Sequence, residues 1–161
     1  MLSAVNFIYQ EVFLGQAEKI CVAGDHAAFE LKGVIKKYLE GRGFEVFDCG
    51  AASYDKDDAY PPFSADLAKR VASGEFSRGV LFCGTGVGAS IMANRHKGVR
   101  AALCFTPEMG TLSRAHNDSN VLVLGARTMP VETSIAILEA WLSAPFEGGR
   151  HEARVKMLDT L

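Results

Sequence analysis

Residues 79–90, GVLFCGTGVGAS, decide the fold. The run Gly79 to Cys83 is apolar throughout rather than alternating, as a strand covered on both faces must be. It breaks into glycines at 84, 86 and 88, and a helix starts in the small residues behind them. Four more runs of the same kind flank it: KICVA (19–23), FEVFD (44–48), RAALC (100–104) and VLVLG (121–125). Helical spacing fills the gaps. Leu31, Val34, Ile35, Tyr38 and Leu39 form one stripe, stopped by Gly41 and Gly43. A second helix is expected from Pro62 to Ser73, and a third carries Val131, Ile135, Leu138 and Leu142 before Pro145. A last helix takes Arg150, Arg154 and Leu158 to the C-terminus. Strands alternating with helices predict a single three-layer α/β/α domain over 19–161. Its five-stranded parallel sheet would be doubly wound and Rossmann-like, with strand order 2-1-3-4-5.

Composition limits the partners. The 161 residues are 48% hydrophobic and 22% charged with net charge -2, too apolar for a disordered chain. No basic face points to nucleic acid, and no apolar run approaches the roughly 20 residues of a membrane span. Cys21, Cys49, Cys83 and Cys104 form no CxxC pair and no zinc-ligand spacing. Cys21, Cys49 and Cys104 read as buried reduced thiols of a cytoplasmic protein. Residues 1–18 lack the positive start of a secretory signal and read as an N-terminal extension, a short helix or a disordered arm.

Ligands of open parallel sheets bind beyond the carboxyl ends of strands, where strand order reverses. There the first strand runs into Gly24-Asp25-His26 and the third into Cys83-Gly84-Thr85-Gly86-Val87-Gly88. Glycines let backbone N–H groups crowd an oxyanion, and the helix start adds positive potential. The loop is neither a Walker sequence, for want of Lys-Ser/Thr, nor a dinucleotide GxGxxG. It suits an anion cradle and a plain tight turn equally well. A thiol of pKa ~8.5 is roughly 3% ionised at neutral pH, and about 1.4 kcal/mol from a helix end raises that to about a quarter. Cys83 is therefore a candidate base, against the alternative of a small buried hydrophobe.

His116-Asn117-Asp118 stands before the fifth strand. The histidine is either a solvated helix end or a proton carrier, and Asn and Asp also serve turns. Arg150 and Arg154 share one helix face and could grip a phosphate dianion, or could pair with Glu147 and Glu152 on a solvated surface. Arg127 stands after the fifth strand, at another carboxyl end.

Taken in order, Gly24-Asp25-His26-Ala27-Ala28, Cys83 to Gly88, Arg114 to Leu122 and Glu147 to His151 resemble the phosphosugar isomerase family of ribose-5-phosphate isomerase B. Galactose- and allose-6-phosphate isomerases belong to it too. The resemblance covers residues 19–158 and implies an aldose–ketose isomerase of the pentose phosphate route. Cys83 would be the base at C2, and His116 would open the sugar ring. Gly84, Thr85, Gly86, Val87 and Gly88 would cradle the enediolate, with Thr85 supplying a hydroxyl. Asp25 and Asn117 would hold sugar hydroxyls, Asp25 also relaying a proton between O1 and O2. His26, Arg127, Arg150 and Arg154 would meet the phosphate. With no plausible metal cluster in the sequence, a metal-free proton-transfer route without a cofactor is expected. The resemblance places the site at a subunit interface of a homodimer or homotetramer, with His116 and Arg127 serving the neighbour's Cys83. Phe105-Thr106-Pro107-Glu108-Met109 departs from the family pattern and bears on sugar length and stereochemistry.

The chemistry asks for the same parts. One base contributes ~10²–10⁴-fold, too little for so weak a carbon acid, and donors on the developing oxyanion must supply the rest. Ribose 5-phosphate to ribulose 5-phosphate is the leading reading. Galactose 6-phosphate, allose 6-phosphate or a tetrose phosphate are alternative substrates, and a non-catalytic phosphosugar-binding module is the alternative of another class.

Overall fold

The computed structural model describes residues 17–160. Five strands form one parallel sheet: β1 (Lys19–Gly24), β2 (Glu45–Asp48), β3 (Gly79–Cys83), β4 (Ala101–Leu103) and β5 (Val121–Gly125). Six helices connect and cover them: α1 (Phe29–Gly41), α2 (Tyr60–Ala72), α3 (Val87–Ala93), α4 (Pro107–Asn117), α5 (Val131–Ser143) and α6 (Arg150–Asp159). A 3-10 turn at His26–Ala28 leads into α1. Apart from residues 17 and 18, the expected N-terminal extension lies outside the described residues. Glu18 already belongs to the domain: its carbonyl accepts from Glu45 N at 3.0 Å and its carboxylate pairs with Arg78.

The three-layer class is as expected; the strand order is not. The sheet runs β2-β1-β3-β5-β4, so the predicted 2-1-3-4-5 is corrected at its last two positions. Apolar bulk explains the exchange. All five residues of β5, VLVLG, are buried, which a central strand requires. β4 is only Ala-Ala-Leu, half-buried throughout, and fits the edge. The reversal at β1 and β3 survives, because those strands still pair directly.

Alternate residues feed opposite faces. Ile20, Val22, Phe82, Leu122 and Leu124 pack with Ile35 and Leu39 of α1 and Ile137, Leu138 and Trp141 of α5. Cys21, Ala23, Leu81, Cys83 and Val123 pack with Leu67, Ala68 and Val71 of α2 and Ala89 and Ala93 of α3. Buried Trp141 donates its indole N–H to Ser119 Oγ at 2.7 Å, satisfying the one polar atom it takes inside. α2 begins at Tyr60, two residues before the expected Pro62, since both prolines fit a first turn that needs no N–H partner. Among the described residues no helix is long and apolar enough to cross a membrane.

Candidate active site

The turn after β3 is shaped by what its glycines omit. Gly86 has φ +80°, and a Cβ there would stand 2.5 Å from Leu103 Cδ1. At Gly88 a Cβ would lie 2.5 Å from Tyr60 Cζ. Only glycine lets the chain fold back tightly enough to aim its amides at one point. The turn stands beside the Cys83 sulfur, and the amides of Gly86, Gly84 and Thr85 pull its pKa down. The loop is fastened to β5 as well, through Ala126 N to Cys83 O at 2.9 Å and Arg127 N to Gly84 O at 2.8 Å.

Asp25, at the end of β1, faces the thiol: Cys83 Sγ to Asp25 Oδ2 is 3.7 Å. Asp25 is buried, and its other oxygen, Oδ1, has no hydrogen-bond partner among the described residues. An unpaired buried carboxylate oxygen is costly and marks where a ligand hydroxyl would fit. Burial pushes the Cys83 thiol above its ordinary pKa, and the Asp25 carboxylate pushes the same way; the three loop amides oppose both. The sequence expectation of a thiolate favoured by a helix end is thereby corrected. Helix-end stabilisation is a local effect, and the desolvation that outweighs it comes from tertiary packing.

His26 follows Asp25. Asp58 Oδ1 accepts from His26 N at 3.0 Å and sits 2.7 Å from His26 Nδ1, fixing the ring's orientation. Tyr54 meets that ring edge-on. Thr85 and Val87 are exposed at the mouth of the turn. The Arg127 side chain lies against its own chain's turn, with Cδ 3.5 Å from where a Gly84 Cβ would be. Service to a neighbour's Cys83 is therefore corrected for Arg127, because β5 neighbours β3 and delivers it directly.

His116 is elsewhere. Gly79 N donates to Asn120 O at 2.9 Å, so the residues leading into β5 stand at the amino end of β3. Cys83 is at the other end, about 13 Å along the strand. At the amino end the His116 ring stacks on His151, centroids 4.2 Å apart and planes 4° from parallel. Glu147 Oε2 stands 3.7 Å from His116 Nε2 and 3.8 Å from His151 Nε2. Burial, then the charges of His116 and Arg150, lower the His151 pKa. Asn117 is exposed at the end of α4, beside a cavity of about 360 Å³ bounded by Ala102, Ser113 and Leu158. Asp118 is structural: it takes a left-handed φ of 46° and binds Arg100 and Arg114.

Arg150 and Arg154 lie exposed on α6. Of the carboxylates expected to neutralise them, Glu152 pairs with Lys156 and Glu147 turns to the histidines. Arg127, Arg150 and Arg154, like Arg95 just after α3, have no carboxylate partner among the described residues, whereas Arg42, Arg70, Arg78, Arg100 and Arg114 all do. Three available guanidinium groups suit a phosphate.

Two groups bring donor atoms within 4.8 Å, as a metal would need: Asp25, His26 and Asp58, and His116, Glu147 and His151. Both are partly engaged already, by the His26–Asp58 bond and by Arg150 Nε–H donating to His151 Nε2 at 3.4 Å. Sequence reasoning passed over Asp58, in the segment between β2 and α2, and Tyr60, the first residue of α2, which support the site. Their one signal was a tyrosine set between an acidic run and Pro61-Pro62.

Comparison with known proteins agrees with this geometry. A family described as Ribose/Galactose Isomerase matches residues 20–158. Ribose-5-phosphate isomerase B of Escherichia coli (strain K12) is 45% identical over 144 residues, 89% of this chain and 96% of that one. A ribose 5-phosphate isomerase structure from Thermotoga maritima superposes with TM-score 0.86 at 47% identity, covering 89% of this chain and 99% of its own. The Mycoplasma genitalium ribose-5-phosphate isomerase B, solved with ribulose-5-phosphate bound, gives TM-score 0.87 at 37% identity over 91% and 97%. Conserved in extent from β1 to α6, the chain belongs to the ribose/galactose isomerase family.

Proposed function

We propose that the protein interconverts ribose 5-phosphate and ribulose 5-phosphate, with Cys83 as the carbon base and the β3–α3 turn as the enediolate cradle. One observation carries this reading: the buried Cys83 sulfur, at the start of the glycine turn, lies 3.7 Å from Asp25 Oδ2, and Asp25 Oδ1 has no partner among the described residues. A carbon base alone would not need the amides, and a binding loop would need neither the thiol nor the carboxylate.

The thiolate takes the proton from C2 of the opened aldose and returns it to C1. Negative charge developing on the substrate oxygens falls to the amides of Gly84 to Gly88, preorganised by their attachment to β5. Asp25 moves the hydroxyl proton between O2 and O1. His26, oriented by Asp58, and Arg127 meet the phosphate from the same chain. Remote binding of that kind holds the reacting carbons in register.

The remaining groups come from a second copy. His116, Asn117, Arg150 and Arg154 stand at the opposite end of the sheet, so a complete site needs a homodimer that sets one subunit's amino end against the other's carboxyl end. Val87 and Ile91 on α3, with Phe105, Met109 and Leu112 around the start of α4, leave apolar surface exposed as such a contact requires. In the dimer His116 opens the furanose ring above the neighbour's Cys83, and Arg150 and Arg154 close on the phosphate.

Incubation with ribose 5-phosphate in D2O and EDTA, followed by NMR, tests the reading. Ribulose 5-phosphate should accumulate with solvent deuterium entering the carbon that receives the proton. Failure to convert ribose 5-phosphate, with turnover of allose 6-phosphate instead, would overturn the substrate; dependence on an added metal would overturn the route.

A further inference from the structure

Two thiols that the isomerase reading leaves unused lie side by side. Cys21, in the middle of β1, is fully buried, while Cys49, the residue after β2, is partly exposed. Their sulfurs are 3.2 Å apart although 28 residues separate them in sequence. Parallel pairing brings this about: Cys21 is in register with Phe47, and Cys49 N donates to Val22 O at 2.9 Å, which carries the ladder one step past β2. A disulfide needs the sulfurs at roughly 2.05 Å, so closure asks for about 1 Å of approach.

The two sulfurs are not equivalent. Cys21 has its pKa pushed well up, first by the hydrogen bond to Cys49 and then by burial, which favours the protonated thiol. Cys49 is the partner that solvent reaches, with the guanidinium of Arg70 and the carboxylate of Asp66 acting on the pair from α2. A shielded thiol held against an accessible one is the arrangement of a resolving and an attacking cysteine. The sequence showed no CxxC, because here adjacent strands, not adjacent residues, supply the pairing.

We propose that Cys49 and Cys21 form a reversible oxidation site for small peroxides, separate from Cys83. The Cys49 thiolate attacks one peroxide oxygen. An S–O bond forms, the O–O bond breaks, and the departing hydroxide takes a proton from solvent. The Cys21 sulfur then displaces the sulfenic hydroxyl: the S–S bond forms, the S–O bond breaks, and water leaves with the Cys21 proton. In sum, two thiols and one hydrogen peroxide give one disulfide and two waters. The sulfurs lose two electrons and the peroxide oxygens gain them.

The test uses the reduced full chain, titrated with hydrogen peroxide, alkylated in denaturant and mapped by mass spectrometry. A peptide linking Cys21 to Cys49, lighter by two hydrogens and split again by dithiothreitol, should appear while Cys104 stays alkylable. Cys49→Ser should abolish the link and leave Cys21 reduced, with isomerase activity before oxidation unchanged. Cys21→Ala should leave Cys49 as a sulfenic acid that dimedone traps. Both cysteines alkylated after a dose that oxidises Cys83, or Cys49 carried to the sulfinic acid beside a free Cys21, would overturn the proposal. Because the readout is a mass, either result leaves the isomerase reading where it stood.

Discussion

The two ends of the sheet carry two kinds of chemistry. At the carboxyl end the groups are buried and fixed by backbone: Cys83 and Asp25 are nearly sealed, and the turn is fastened to β5. At the amino end a half-buried His116 stacks on a buried His151, and Arg150 and Arg154 are exposed without a carboxylate partner among the described residues. On the proposed reading the buried, fixed end serves proton abstraction from carbon, and the other end lends ring opening and phosphate capture to a second copy. One chain holds both sets but cannot bring them together.

Breaking the carboxyl end should cost most. Cys83→Ala removes the base, and kcat should fall by ~10³-fold or more with the far-UV spectrum unchanged. The raised thiol pKa adds a sign: protonated at neutral pH, Cys83 should give a kcat/KM that climbs as pH rises through the ordinary thiol range, about tenfold per pH unit at its steepest. A profile flat from neutral to alkaline pH, or residual activity near wild type, would remove Cys83 from its role.

His116→Ala should lower turnover by about 10²-fold. Mixing it with Cys83→Ala and allowing subunits to exchange sharpens the comparison. If the ends meet across a twofold axis, mixed dimers contain one intact site, and about a quarter of wild-type activity should return. A mixture that stays inactive would rule out the shared arrangement.

Arg150→Ala should raise KM by about tenfold and leave kcat nearly unchanged, the mark of lost phosphate binding. The smallest effect belongs to His151. Its native pKa lies below the unfolded value, so the native state holds it neutral. The stability this allows is present above about pH 6.5 and is lost as pH falls toward the native pKa. Thermal unfolding between pH 7 and pH 5 should show that loss, and His151→Gln should reduce it.

Much of this was legible from sequence, and the failures share a cause. Apolar runs marked all five strands, and in β1, β3 and β5 burial on both faces leaves that local trace. The same expectation is corrected for the edge strands β2, exposed at Glu45 and Phe47, and β4, only half-buried. The strand order did not follow, since nothing local says that Ala-Ala-Leu lies outside Val-Leu-Val-Leu-Gly; only the demand for apolar bulk at the centre does. Cys83 and its glycines were recognisable because a cradle needs its residues in one stretch. Asp58 and Tyr60 were not, since each acts on a residue far away in the chain, and Glu147, read as a partner for the arginines, faces His116 and His151 instead. The direction of the Cys83 pKa was missed for the same reason: a helix end is written locally, and desolvation is not. Cys49, read as a buried thiol, is partly exposed, because β2 is the edge strand and the residue beyond it stays open.

The hydrogen bonds from Ala126 and Arg127 to the carbonyls of Cys83 and Gly84 have a consequence for biosynthesis. During translation, the stretch around Cys83 leaves the ribosome some forty residues ahead of the strand that gives it shape. A nascent polypeptide shorter than 127 residues thus holds the sulfur without its fixed turn, and competence arrives late, when the central strand docks.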